Sequence, residues 1–381
     1  MRRWVSWFAM LLCVIGLTGC SLPRVTAEER LFLPLSVEFL DSYTLTDKQF
    51  KDTTVGGLSA ITYNRKKDLY YAVSDDRSDR NPARFYTLKL QIDKPNALKS
   101  VEVQNVTTLT DETGQPFAKG TIDAEGIALS PLNSVFISSE GAVNDNIAPF
   151  IGEFDLQTGK LKRKLMLPES YLPDARGVAQ TRGIQDNRGF ESLTLNAGAS
   201  TAPPAEPFRL FSAIESPLVQ DLELPNTKES LLNRFLHYQV IGTRSTIISE
   251  HAYPLDPKPT GAIDHGLSEL LSIDQGGHFL SLERSFGLTG FRIKLFQVAT
   301  GIASDTSLIE TLRGAKVKPA RKELLQDLNQ LGIRLDNLEG MTIGARLPDG
   351  SHSLILVSDD NFNNLGQITQ FLLFRLNGLK G

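Results

Sequence analysis

The chain has 381 residues, 41% of them hydrophobic, and a formal net charge of −4 at pH 7. A surface that binds nucleic acid needs clustered basic residues, so this charge argues against a nucleic-acid partner. There are two cysteines, Cys13 and Cys20, and the first lies in an apolar segment that we expect to be cleaved off. The remaining domain would be held by its hydrophobic core without a disulfide, and its length suffices for that.

The N-terminus is typical of an export signal. Arg2 and Arg3 precede an apolar run over residues 4–17. This run of about 14 residues is shorter than the roughly 20 that a membrane-spanning helix needs. Residues 17–20 read Leu-Thr-Gly-Cys, which resembles the lipobox of bacterial lipoproteins. The resemblance implies that Cys20 is lipidated, and the alternative is an ordinary signal peptide with a chance cysteine.

These features predict three segments: a lipoprotein signal peptide over residues 1–19, a lipidated tether over residues 20–30 and a single domain over residues 31–381. Ser21, rather than an aspartate, follows Cys20. By resemblance to the sorting rule of diderm bacteria, this favours the periplasmic face of the outer membrane. We expect a monomer that is attached to the membrane through Cys20.

A pattern of two short apolar runs, each with an acidic residue near the same end, recurs five times. Two runs of strand length around a polar turn predict a β-hairpin. In an antiparallel pair the start of the first strand and the end of the second lie at the same edge. The copies align on Ser59, Glu125, Glu191, Glu269 and Glu339, which are 66, 66, 78 and 70 residues apart.

All-strand units at such a long, nearly regular period predict the blades of a β-propeller. We therefore expect an all-β fold with five repeat units, and six blades are possible because a degenerate blade would not show in the pattern. Residues 31–46 alternate in polarity and predict a strand that closes the ring by joining the last blade. Leucine spacing and capping residues predict two short helical insertions, over residues 227–236 and 320–331.

Several motifs resemble the phytase-like family, whose members are often labelled "esterase-like activity of phytase". They are Gly-Gly-Leu-Ser-Ala-Ile at 56–61, Ser-Asp-Asp-Arg at 74–77, Asp-Ala-Glu-Gly-Ile at 123–127, Asn-Arg-Gly-Phe-Glu-Ser at 187–192, Asn-Leu-Glu-Gly-Met at 337–341 and Ser-Asp-Asp-Asn-Phe at 358–362. The resemblance runs from about residue 50 to the C-terminus. It implies an exported β-propeller that is distantly similar to calcium-dependent propeller phytases.

The acidic residues of the repeats are the candidate site. The innermost strands of a propeller line its central channel, so equivalent strand ends converge at one mouth. Many carboxylates at close quarters cannot all ionise without a cation or an arginine to offset them. Hard oxygen ligands in such numbers favour Ca²⁺ or Mg²⁺. The alternative is structural: each carboxylate accepts hydrogen bonds from backbone amides of the next blade and locks the ring.

On this basis we assign candidate roles. The predicted metal ligands are Asp75, Glu125, Glu140, Glu191, Glu283 and Asp360; the predicted substrate-binding residues are Arg77, Arg284 and Asn361; the catalytic candidates are Glu339, Asp359 and Asp76. Glu215 and Glu269 are expected at the same mouth. Ser59 stands where repeat symmetry predicts a carboxylate.

Other chemistries have no support in the sequence. There is no Gly-x-Ser-x-Gly elbow, no phosphate-binding loop and no pair of histidines at metal-ligand spacing, so we expect no nucleotide or haem cofactor. Two functions remain. One is a cation-dependent phosphoesterase or esterase-like hydrolase acting on a small anionic substrate. The other is a non-catalytic propeller that binds a ligand or a partner in the cell envelope.

Overall fold

Alternating apolar and polar residues build antiparallel strands throughout the described part of this computed structural model, which comprises residues 31–93, 96–175, 177–222, 231–363 and 365–379. Within those residues the strands form five sheets of four strands each, arranged as a five-bladed β-propeller, together with one two-stranded hairpin. The predicted fold class is confirmed, and the blade number is five.

The N-terminal strands are β1 (Ser36–Thr44), β2 (Gln49–Phe50) and β3 (Thr53–Thr54). Blade one contains β4 (Leu58–Asn64), β5 (Leu69–Ser74), β6 (Arg84–Asp93) and β7 (Ala97–Thr108). Blade two contains β8 (Ala124–Leu129), β9 (Ser134–Ser139), β10 (Phe150–Asp155) and β11 (Leu161–Lys164). Blade three contains β12 (Phe190–Leu195), β13 (Phe208–Ile214), β14 (Leu232–Ile241) and β15 (Arg244–Pro254).

Blade four contains β16 (Ala262–Ser272), β17 (His278–Gly287), β18 (Gly290–Ala299) and β19 (Arg321–Asp327). Blade five contains β20 (Asn337–Ile343), β21 (His352–Asp359) and β22 (Gln370–Asn377), with β1 as its fourth strand. The helices of the described residues are short 3₁₀ turns at Val143–Asp145, Glu169–Tyr171, Ala199–Thr201, Val219–Asp221 and Leu328–Leu331.

The first strand of each blade packs beside the first strands of its two neighbours and forms the wall of a central channel. The core lies between the faces of successive blades. At the junction of blades five and one, for example, Leu58 and Tyr70 pack with Val357 and Phe371, and all four side chains are fully buried. Burying one such side chain stabilises the fold by about 1.5–3 kcal/mol, so apolar packing holds neighbouring blades together.

The N-terminal strand closes the ring, as predicted. β1 pairs antiparallel with β22, which places Val37 opposite Leu376 and Phe39 opposite Phe374. The rings of Phe39 and Phe374 meet edge to face with centroids 5.5 Å apart. The last blade is thus completed by residues from the other end of the domain, and its third strand has no free edge.

The two predicted helical insertions are strand over most of their described residues, and only Leu328–Leu331 forms a short 3₁₀ turn. Residues 321–327 are the outer strand of blade four, because the edge of β18 offers a ladder of backbone groups to pair with. Leu324 is 48% exposed, so the leucine spacing does not mark a buried helical face. Residues 232–236 belong to β14, which pairs on both sides, and residues 227–230 lie outside the described part.

The predicted signal peptide, Cys20 and the tether lie outside the described residues, so these stay predictions. Among the described residues, no helix has the length and apolar character needed to cross a membrane.

Candidate functional site

A β-bulge near the start of the innermost strand shapes the site. In β4 the register against β5 shifts between Leu58 and Ala60, and β12, β16 and β20 shift at the same place. In β8 the shift falls between Ala124 and Ile127. A bulge places one extra residue in the strand and re-aims its side chain. The bulged positions are Ser59, Glu125, Glu191, Ser268 and Glu339.

The bulged residues serve two purposes. Glu125, Glu191 and Glu339 line a cavity at this mouth of the channel. The two serines instead bind the next blade: Ser59 Oγ donates to the carbonyl oxygen of Glu125 at 3.0 Å, and Ser268 Oγ donates to that of Leu338 at 3.3 Å. Three blades therefore use the bulge to present a carboxylate, and two use it to fasten the ring.

The sequence alignment of blade four is off by one residue. The register places Ser268, not Glu269, at the bulge, and a slip of one residue moves a side chain to another face. Glu269 lies in a second cavity, at the other end of the inner strands, where its oxygens accept from Leu270 N at 2.9 Å and Met341 N at 3.3 Å.

The same slip affects the second strand of blade four. Leu267 pairs with Glu283, so Arg284 occupies the position that Asp75, Glu140, Glu215 and Asp359 hold in the other blades. Four blades thus have an acid at this strand end, and blade four has an arginine.

Glu283 lies outside the cavity, contrary to our expectation. Its carboxylate accepts a hydrogen bond from Tyr253 Oη at 2.7 Å and one from Asp256 N at 3.1 Å, and it pairs with Lys322. These contacts join the strands of blade four to the neighbouring loop, which is a structural role.

The cavity at this mouth, which we call the acidic cavity, has a volume of about 520 Å³. Ten of the residues predicted for the site line it: Asp75, Asp76, Arg77, Glu125, Glu140, Glu191, Arg284, Glu339, Asp359 and Asn361. Glu215, expected at this mouth without an assigned role, lines it too, and the sequence reasoning did not place eight further lining residues here: Asp79, Arg80, Asp123, Asn187, Arg188, Asp264, Asn337 and Phe362. Eleven carboxylates and four guanidinium groups therefore share this space.

Two of the predicted residues are held in structural contacts. Asp76 pairs with the buried Arg84 at 2.8 Å and accepts from the backbone N–H groups of Asp79, Arg80 and Asn81. Asp360, which does not line the acidic cavity, pairs with Lys48 at 2.5 Å. Burial tends to raise the pKa of both carboxyls, but these contacts outweigh it, and each pKa lies below its ordinary value. Both acids therefore hold loops in place beside the mouth of the channel.

Arginines offset the acids on one side of the acidic cavity. Arg284 donates to Glu215 at 2.8 Å and to the Asn337 side chain at 2.6 Å, and it lies 3.3 Å from Glu339. Arg188 pairs with Asp264 at 2.6 Å. These contacts lie on blades three, four and five.

Three buried carboxylates of blade two cluster in the wall of the acidic cavity. Ligand oxygens of Asp123, Glu125 and Glu140 can all lie within 4.8 Å of one another, and all three residues are buried. Arg77 pairs with Asp123 and donates to the Asn187 side chain at 2.8 Å. Burial, reinforced by the neighbouring acids, raises the pKa of Glu125 and Glu140 well above the usual range. Such a cluster is stabilised by a bound cation.

A further carboxylate lacks a partner. Asp75 Oδ1 is buried and has no hydrogen-bond partner, while burial and the charges of Asp359 and Glu339 raise the pKa of Asp75. The close approach is possible because residue 57 is a glycine at φ +62°, where a Cβ atom would lie 2.0 Å from that oxygen. On the neighbouring blade, burial raises the pKa of Glu339 to about 8 and that of Asp359 to about 7.

The sequence profile of the family described as "Phytase-like: Esterase-like activity of phytase" matches residues 53–362. The chain belongs to this phytase-like family. The matched region contains all of the residues that line the acidic cavity and four of the five blades in full. No functionally curated protein matches the chain.

Solved structures give distant likenesses to this phytase-like protein. An endo-arabinase from Bacteroides thetaiotaomicron has a TM-score of 0.45 at 10% identity, over 84% of this chain and 93% of that one. A Bombyx mori GH32 β-fructofuranosidase has a TM-score of 0.39 at 11% identity, and the match covers 83% of this chain and 59% of that one. The WD40 domain of Neurospora crassa Pan2 has a TM-score of 0.33 at 7% identity, and the match covers 89% of this chain and 95% of that one. Similarity at this level carries no argument about function.

A cleft extends the acidic cavity of this phytase-like protein towards blades four and five. It has a volume of about 840 Å³ and shares Asp264, Arg284, Asn337 and Asn361 with the cavity. Its other walls include Phe286 and Phe291, whose ring centroids lie 4.8 Å apart. The site therefore combines a charged pocket with a partly apolar groove beside it.

Most of the missed site residues fall outside the alignment that we made of the repeats. Arg188 precedes the aligned first strand of blade three, and Asp264 lies in an extension of β16 that the other blades lack. Asp123 could have been predicted from the sequence, because it opens the Asp-Ala-Glu-Gly motif and stands two residues before the aligned Glu125.

Proposed function

We propose that this phytase-like protein is a divalent-cation-dependent hydrolase of small anionic esters, with phosphate esters as the first class to test. The observation that carries the proposal is the buried cluster of Asp123, Glu125 and Glu140, whose oxygens can converge on one point. Oxygen-only ligand sets of this kind suit Ca²⁺ or Mg²⁺.

The donor set fits such a cation. The neighbouring carboxylates have pKa values raised by burial and mutual repulsion, and a divalent charge would relieve both effects. Asp123, Glu125 and Glu140 would hold the ion, with Asp75 and Glu191 facing the same space. When bound, the cation would supply electrostatic stabilisation of an anionic oxygen and a lowered pKa for a water molecule.

The chain's own residues would do the rest. Arg188 and Arg284 also line the cavity, and their guanidinium groups can donate to the oxygens of an anionic substrate. Asp359 and Glu339 have pKa values of about 7 and 8, which suit proton transfer near neutral pH. The adjoining cleft, with Phe286 and Phe291, would seat the organic part of the ester.

One observation favours the second candidate function, a non-catalytic binding propeller. Arg77, Arg188 and Arg284 are each already paired with a carboxylate of the site. Ion pairs within the fold therefore neutralise part of the charge in the acidic cavity, as expected if these groups hold neighbouring blades together.

The deciding experiment combines elemental analysis of the purified protein with hydrolysis of p-nitrophenyl phosphate and p-nitrophenyl acetate, before and after chelation. We expect bound Ca²⁺ or Mg²⁺ and a chelator-sensitive activity. Added cation should also raise the melting temperature, since binding to the folded state alone stabilises it by about 2.7 kcal/mol at a hundredfold excess over the dissociation constant. Glu140→Gln should remove both effects.

The matched control is Glu112→Gln, which changes an exposed carboxylate away from the site and should behave like the wild type. A protein without metal, whose melting temperature ignores both cations, would contradict the proposal and leave the carboxylates as ring-locking groups. Cation binding without hydrolysis of any ester would instead support the binding propeller.

A further inference from the structure

The opposite end of the channel contains a second cavity, which we call the basal cavity. It has a volume of about 420 Å³ and lies where the innermost strands end. Each blade contributes an apolar residue to its wall: Ile61, Ile127, Leu193, Leu271 and Met341. Polar residues such as Thr62, Asn196 and Thr342 lie between these apolar residues. A volume of this size, with both apolar and polar groups in its walls, is typical of sites for small organic ligands.

The charge of the basal cavity is opposite to that of the acidic cavity. Arg65 and Arg346 line it and are exposed. Among the described residues, no carboxylate lies within ion-pair distance of either guanidinium group, whereas three of the four arginines in the acidic cavity are paired. Arg346 does donate to the carbonyl oxygen of Gly350 at 3.2 Å. Two guanidinium groups at the rim thus remain available to an anion.

The remaining titratable groups of the basal cavity do not cancel this positive charge. Glu269 is buried, both of its oxygens accept backbone N–H groups, and its burial raises its pKa well above the usual range. Burial and the charges of Arg346 and Arg65 lower the pKa of His352, so this imidazole is neutral at neutral pH.

We propose that the basal cavity binds an anionic amphiphile with a single short apolar tail, of the fatty-acid type. The head group would lie between Arg65 and Arg346, where guanidinium groups match a carboxylate. The tail would lie against the apolar wall that the five blades provide. A small polar anion would leave the apolar wall residues in contact with water, so an amphiphile fits better. A ligand with several long tails would exceed the volume of the cavity.

The test is calorimetric titration of the purified protein with decanoate below its micellar concentration, and with 1-decanol as the neutral match. We expect decanoate to bind and 1-decanol to bind at least tenfold more weakly, since a charged contact is lost. Arg65→Ala and Arg346→Ala should each weaken decanoate binding about tenfold. Leu271→Trp, which fills the cavity from a partly exposed position, should weaken both ligands.

Two controls isolate the site. Arg244→Ala removes an exposed arginine from the β14–β15 hairpin, and Glu140→Gln alters the acidic cavity; both variants should bind decanoate as the wild type does. The proposal is overturned if decanoate does not bind, or if it binds the Arg65→Ala and Arg346→Ala variants unchanged. It is also overturned if the protein binds phosphatidylglycerol vesicles but no free decanoate, since the arginines would then mark a lipid surface.

Discussion

The two ends of the channel are built from the same five inner strands, and they differ in backbone as well as in charge. At the acidic end each strand contains a bulge, which turns Glu125, Glu191 and Glu339 towards the cavity. At the basal end the strands are regular, and Thr62 and Thr194 accept backbone N–H groups from neighbouring blades at 3.3 and 3.2 Å. Irregular backbone therefore presents carboxylates at one end only, whereas side-chain hydrogen bonds join neighbouring blades at both ends.

Of the substitutions that test this difference between the two ends, replacing Arg284 should change the free energy of unfolding most. Arg284→Met keeps most of the side-chain volume but leaves Glu339 without its arginine and Glu215 with Arg188 alone, whose Nη1 lies 3.9 Å away. Removing one partner of a buried ion pair costs about 3–5 kcal/mol, and we expect a loss of that size in the free energy of unfolding, measured by urea titration. The matched change at the basal end, Arg65→Met, should cost less than about 0.5 kcal/mol. Equal losses would show that the two ends do not differ in this way.

The pH dependence of stability should also come from the acidic end. Glu339 and Asp359 have pKa values of about 8 and 7 in the folded state, above those of an unfolded chain. The folded state therefore holds protons that the unfolded state has lost, and the metal-free protein should lose stability as pH rises from about 4.5 to 8. We expect a fall on the order of a few kcal/mol between pH 5 and 8.

Urea titrations at several pH values would measure this fall. Glu339→Gln should flatten the curve, and saturating Ca²⁺ should do the same if the cation binds the ionised acids. Stability that rises over this interval would mean that the carboxylates are ionised and compensated in the metal-free fold.

The smallest effect should come from the bulged serines. Ser59→Ala and Ser268→Ala each remove hydrogen bonds to the next blade, and each should lower the free energy of unfolding by about 1 kcal/mol. Neither variant should alter the rise of melting temperature with cation, because neither side chain lines the acidic cavity. Glu125→Gln, at the equivalent position of blade two, should reduce that rise. A serine variant that loses the cation response would refute the division of the bulged positions into two groups.

The sequence predicted the architecture well, because each blade repeats one hairpin pattern and the strand over residues 36–44 completes the last blade. It failed in blade four, where a bulge moves the register by one residue and the repeat pattern cannot show which of Ser268 and Glu269 is displaced. The helix predicted over residues 320–331 failed at residues 321–327 for a different reason. Leucines at helical spacing also fit an outer strand, and pairing with β18 decided between the two.

The part of the site that lies in or beside the repeats was predictable, including Arg77 and Arg284 as well as the acids. The repeated carboxylates mark one channel mouth, whereas Arg188 and Asp264 lie outside the aligned motif and reach the cavity through the tertiary fold. The clustering of Asp123 with Glu125 and Glu140 depends on the three-dimensional path of β8 and β9.

The closing strand has a consequence for the time course of folding. Blades one to four each form from a continuous stretch of chain, but β1 must find β22 across the whole domain, as in the pair of Glu38 with Arg375. Contacts of such large sequence separation carry the greatest loop-closure entropy and form slowly. During synthesis the first strand therefore waits, with its backbone edge exposed, until the last strand has emerged. Blade five is the point at which a chaperone, or a competing copy of the same strand, has the longest opportunity to intervene.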